Sequence, residues 1–174
     1  MTVFPDWQKF AVPQKRPDSG CIPTGYEFIL RAAGAKGIDW STFQDEFDLD
    51  RERRDREPSR NNFKAVASAV AARYPHVSFQ VVEFASGRGH EKLQFIEQHV
   101  SQQEPLLISL ALAPFGQGGW HIMPVVDMDA SELVLLHSMQ PNGVKVIWKL
   151  PKAELVRIHD EFDGGNDVAY LEKC

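Results

Sequence analysis

The sequence predicts an α+β fold, with helices in the first hundred residues and an antiparallel sheet after them. Two observations predict it. Apolar residues of the first part recur at helical spacing, whereas from Leu106 onward short β-rich runs alternate with turn-forming clusters such as Asp129-Ala130-Ser131 and Gln140-Pro141-Asn142-Gly143. Short turns between successive strands make them antiparallel neighbours.

The first helix starts at Cys21. Ile22, Tyr26, Ile29, Leu30 and Ala33 share a face, Pro23 suits a first turn, and Gly34 stands where a helix ends in the left-handed conformation. Trp40, Phe43 and Phe47 give a short second helix over 40–47. Ser59 reads as the cap of a third, with Phe63, Val66, Ala67, Val70 and Ala71 as its buried stripe. A strand is expected over 77–84 and a helix over 90–103, with Leu93, Ile96 and Val100 inward. Strands follow at 106–112, 121–127, 132–137, 144–150 and 168–171, with a last helix over 151–158. This divides one domain of 174 residues into a helical part, about 1–104, and a sheet part, about 105–174.

Composition narrows the function classes. A net charge of −5 and 43% hydrophobic residues describe an ordinary globular chain with no nucleic-acid footprint and no basic membrane-surface patch. The apolar run 106–113 is too short to cross a bilayer and the first residues lack the pattern of a signal peptide, so a soluble, cytoplasmic protein is expected. The segment 45–57 holds seven acids and four arginines and reads as a solvated stretch of surface ion pairs. Cys174 ends the chain as a mobile surface thiol, and two cysteines make no disulfide framework.

Cys21 is the residue that carries chemistry. A thiol at a helix N-terminus meets unpaired N–H groups and the positive end of the dipole, which favour the thiolate and make it a candidate nucleophile. His121, just after Gly116-Gln117-Gly118-Gly119, is the candidate base.

Gln14, then Cys21 opening a helix, an apolar strand, a glycine turn, His121 opening the next strand and a polar residue ending the one after it together resemble the papain-like cysteine peptidases. The nearest branch is the bacteriocin-processing, double-glycine leader peptidases. The resemblance implies a papain-like fold with its site in a cleft between helices and sheet. It also implies a peptide or protein substrate, no cofactor, Cys21 as nucleophile, His121 as base, Gln14 as oxyanion donor and His137 in the place of the orienting Asp. Three positions depart from the pattern. Ile22 replaces the usual glycine, Gln14 lies seven residues before Cys21, and His137-Ser138 stands for Asp-Pro. The activity implied is thiol-dependent hydrolysis or acyl transfer at a peptide or other amide bond. The alternatives are a peptidase-like binding module without chemistry, and a zinc site formed by Cys21, His121 and His137. Asp18 is expected to cap the helix that Cys21 opens.

Overall fold

The computed structural model describes residues 6–139, 143–162 and 164–174, without the side chains of 138 and 139. The expected turn at 140–143 and the loop at 163–167 therefore lie partly outside the described residues, as do the first five positions. In chain order the elements are α1 (Cys21–Ala32), α2 (Phe43–Phe47), α3 (Phe63–Arg73), β1 (Ser78–Glu83), α4 (Gly89–Ser101), β2 (Leu106–Ala111), β3 (Trp120–Met128), β4 (Glu132–Met139), β5 (Lys145–Pro151), α5 (Lys152–Glu161) and β6 (Asp167–Lys173).

The six strands form one antiparallel sheet in the order β1-β6-β2-β3-β4-β5. Its membership reaches back into the first hundred residues. β1, from the supposed helical part, pairs with the last strand of the chain, and α4 packs on α5 and against β2 and β3. Sequence-local turns predict neighbours well, but the β1–β6 pairing joins residues about ninety positions apart and leaves no local signal.

β2 occupies the centre and is buried along its whole length, so both faces of the sheet are covered there. α1 covers one. A Cβ built on Gly25 would fall 2.9 Å from both Cδ atoms of Leu107, so the helix lies on the strand at a distance only glycine permits there. Leu107 and Ser109 pair with Pro124 and Ile122, and these residues share the α1 face. Leu106, Ile108 and Leu110 point to the opposite face, where α4 and α5 pack.

α1 ends as the sequence predicts. Gly34 has a φ of 70°, and bonds from Gly34 N to Arg31 O and from Ala35 N to Leu30 O close the last turn. Its start differs, because no side chain caps it and Asp18 does not reach the free amides. α3 is capped by Asn62, which accepts from Ala65 N at 2.8 Å; Ser59 instead donates to Asp50. The 45–57 segment is not merely solvated. Asp48 and Asp50 are 3% and 9% exposed and hold loops together by hydrogen bonds. No described helix is long and apolar enough to cross a membrane.

Candidate functional site

Cys21 and β3 are brought together by α1 packing on the Ile122 face. The loop before α1 is tight. Gly20 N bonds to Arg16 O at 2.9 Å, and a Cβ on Gly20 would come within 2.8 Å of that carbonyl. Glycine is needed to admit this turn, and the turn sets Cys21 at the first helical position.

The thiol meets the main-chain N–H of Ile122, beside those of Ile22 and Cys21 itself. Each pulls its pKa down, but burial outweighs them and pushes the thiol above its ordinary range, with the Asp48 carboxylate adding to the rise. This reverses the expectation of a thiolate drawn from helix position alone, since desolvation of the charged form exceeds the help of the free amides. Cys21 and Cys174 are both free thiols.

Strand alternation sets His121 with Leu110 and Met123, the face away from α1, although its neighbour Ile122 touches the thiol. Among the described residues no hydrogen bond joins Cys21 to the His121 ring. The imidazole is held through Nε2, which lies 2.8 Å from the carbonyl oxygen of His137. A carbonyl only accepts, so Nε2 carries the proton and Nδ1 is the bare nitrogen. Burial lowers the His121 pKa against the opposing pull of that carbonyl, which keeps the ring neutral at pH 7.

His137 takes part differently from the expectation. It occupies an irregularity between β4 and β5 that skips from Leu136 to Ser138 in the pairing, and there it presents its carbonyl to His121. Its own ring lies 4.8 Å from the His121 ring and edge-on to Trp148, while its buried Nδ1 has no partner among the described residues. The ring is thus not the orienting acceptor; the main chain is.

Gln14 lines a recess of about 20 Å³ with Cys21, Gly25, Pro124 and His137. Its amide, however, donates to Arg16 O at 2.7 Å and Pro17 O at 3.2 Å, so both its donors are committed to the loop. On the other side of Cys21 open two larger cavities of about 200 and 220 Å³ that share Ile22, Trp120 and Ile122 as walls. Trp120 is 55% exposed over them. Among the described residues no group of three His, Cys, Asp or Glu side chains, Cys21, His121 and His137 included, is gathered as a metal would need.

Sequence reasoning missed the residues that hold the loop. Gln44, 4% exposed, donates to Pro13 O and Glu27 and accepts from Lys15 N and Thr24. Asp48 and Asn61 tie Ser19 to the segment beyond α2. The signal available was the place of Asp48 between apolar Phe47 and Leu49, where a wholly solvated residue is out of keeping.

No family model matches the chain, and no curated protein does. Solved structures do. The chain is similar to a crystal structure from Bacillus anthracis provisionally described as a C39-like peptidase, with a TM-score of 0.56, 14% identity, and 95% of this chain and 96% of that one covered. It also aligns, at a TM-score of 0.36 and 12% identity, with a periplasmic domain of the EpsAB fusion protein of the Vibrio vulnificus type II secretion system, covering 91% of this chain and 50% of that one. The second likeness is too slight to argue from. The first extends over nearly the full length of both chains, so the chain has the papain-like α+β fold of that structure.

Proposed function

We propose that the protein is a thiol-dependent hydrolase or acyl transferase acting on a peptide or other amide bond, with Cys21 as nucleophile and His121 as base. The observation that carries this is the bond from His121 Nε2 to the His137 carbonyl. It makes Nδ1 the bare nitrogen, on the residue next to the amide that meets the thiol. Fixing the tautomer is the task of the third member of a catalytic triad, and a main-chain carbonyl can do it.

Burial raises the Cys21 thiol above its ordinary range and lowers His121 below its own, so both groups rest neutral at pH 7 and the thiol is not a preformed thiolate. The proton then leaves Sγ for Nδ1 as the sulfur–carbon bond forms, which is general-base catalysis. The electron pair of the carbonyl moves to its oxygen. The Cys21 N–H faces that oxygen, and the Gln14 amide joins it once released from Arg16 O and Pro17 O. Collapse expels the amine, which takes the proton from His121, and the thioester passes to water or to a second amine. Two contacts absent at rest must form on substrate binding: His121, set by strand alternation on the face away from α1, must reach Cys21 past the start of β3, and the Gln14 amide must turn to the oxyanion.

Those two missing contacts favour a second reading, a binding module on the same scaffold. Turnover of pooled fluorogenic peptide amides by the wild type, Cys21→Ala and His121→Ala separates them. The proposal expects turnover that Cys21→Ala abolishes and His121→Ala lowers about 100-fold or more. Turnover indifferent to Cys21→Ala overturns it, and no turnover of any amide or activated ester favours the module.

A further inference from the structure

We propose that the cavity of about 200 Å³ beside the start of α1 is a subsite for a basic side chain of the substrate peptide, arginine above all, held between the Trp120 indole and the carboxylates of Glu83 and Asp167. Strand register builds it. Trp120 pairs with Ala111 and Ile122 with Ser109, while Glu83 stands directly opposite Asp167 across β1 and β6. Ala169, two residues after Asp167, pairs with Leu107, and the ring of Phe79, four residues before Glu83, meets Tyr26 of α1. Alternation therefore sets both carboxylates on the α1 face, in one row with Ser109 and Ile122. Ile22, the residue after the candidate nucleophile, completes the wall.

The charges on this cavity are unbalanced. Two acids line it and, among the described residues, no basic one does. Like charges directly opposite each other in a sheet oppose folding. Among the described residues no hydrogen bond ends on either carboxylate, and the ion pair present, Lys64 with Glu83, spans 4.0 Å between two mostly exposed side chains. Such a solvated contact is weak and easily displaced. Lys92, the other cation near Asp167, is committed to the carbonyls of Ser109 and Gly165. Burial, and after it the Glu83 charge, push the Asp167 carboxyl above its ordinary range, so a cation brought into the cavity is favoured there. No third His, Cys, Asp or Glu joins the pair among the described residues as a metal would need, and the cavity has room for an organic cation.

Trp120 points to the same ligand independently. Tryptophan is highly buried on average, yet this ring is more than half exposed and forms a wall of the cavity. Gly164, at a φ of 86°, passes beside it, where a Cβ would fall 3.4 Å from Cε3. An indole face attracts a guanidinium, whose N–H groups then reach two carboxylates at once. β6 lies two strands from β3, about 10 Å at ordinary sheet spacing, which separates Asp167 from the Ile122 amide that meets the thiol. A long side chain is needed to cover that span from a peptide lying at Cys21.

The inference rests on reading Cys21 as the nucleophile toward a peptide, and its test is binding without turnover. Cys21→Ala protein is titrated calorimetrically with short blocked peptides of glycine and alanine that carry arginine, lysine or citrulline at the centre, citrulline being the uncharged match for arginine. The arginine peptide is expected to bind about tenfold more tightly than the citrulline peptide, with lysine between them. Glu83→Gln and Asp167→Asn should each lower that ratio about threefold, and Trp120→Ala should weaken arginine binding by a similar factor. Equal affinity for the arginine and citrulline peptides, or no binding of either, overturns the proposal. So does an arginine preference that survives Glu83→Gln, a variant whose exposed position leaves the fold intact if Asp167→Asn does not fold. Amide turnover through Cys21 with no arginine preference would strike the subsite alone, and arginine binding through these carboxylates with no turnover would strike the hydrolase reading alone.

Discussion

Replacing Lys92 by methionine removes the most deeply buried charge in the molecule's centre. Lys92 is 0% exposed on α4, and its Nζ bonds to Ser109 O at 2.8 Å and to Gly165 O. Burial pushes its pKa down to about 7, with Asp167 pulling the other way. An unfolded lysine titrates near 10.4. The folded value being the lower one, the unfolded chain binds more protons between about pH 7 and pH 10.4, and stability rises with pH across that window. Below pH 7 both states are charged and the burial penalty is present in full. Roughly three units at about 1.4 kcal/mol each bound the gain near 4 to 5 kcal/mol. The two carbonyl acceptors favour the charged form and reduce it, and about 2 kcal/mol is the expected size. Urea unfolding of wild type and Lys92→Met at half-unit steps from pH 6 to 10 reads the difference directly, since titrations common to both cancel. The wild type should gain about 2 kcal/mol on the variant between pH 7 and 10. Parallel stability profiles over that range would refute the reasoning.

Other substitutions probe the site's supports. Asn62→Ala removes the α3 cap and should cost about 1 kcal/mol in chemical denaturation. Gly25→Ala gains about 1 kcal/mol of helix propensity but drives its Cβ into Leu107 at a cost of about 2 kcal/mol, so a net loss of about 1 kcal/mol is expected by the same measurement. His137→Ala keeps the carbonyl that orients His121, so turnover should stay within a few-fold of wild type in steady-state assays; a loss of two orders of magnitude would assign the ring a role.

The elements that periodicity marks strongly were legible in the sequence. The helix opened by Cys21, its end at Gly34 and the central strand over 106–111 stand within a residue or two of their expected places. What was not legible depends on contacts across the fold. The β1–β6 pairing, the buried Lys92 and the Asp48 clamp each join segments far apart in the chain, and no local pattern encodes them. At the site, the sequence pointed to Cys21, His121, His137 and Gln14 as a group. It did not show that His137 would meet His121 through its carbonyl, because side-chain chemistry is written in the sequence and main-chain geometry at a strand irregularity is not. Nor did a helix start by itself set the ionisation of Cys21, since burial against β3 decides it and appears only when the two elements meet.

The central claim is that Cys21 forms an acyl-enzyme with His121 as its base. Rapid-quench mass spectrometry of the intact protein, after mixing Cys174→Ser chain with nitrophenyl esters of N-acylated peptides, observes that species itself. The account predicts one acyl group on Cys21, formed in a burst that precedes steady release. The burst should be absent in Cys21→Ala and slowed about 100-fold in His121→Ala. An unmodified chain, or an acyl group on Cys21 that forms equally fast without His121, would contradict it.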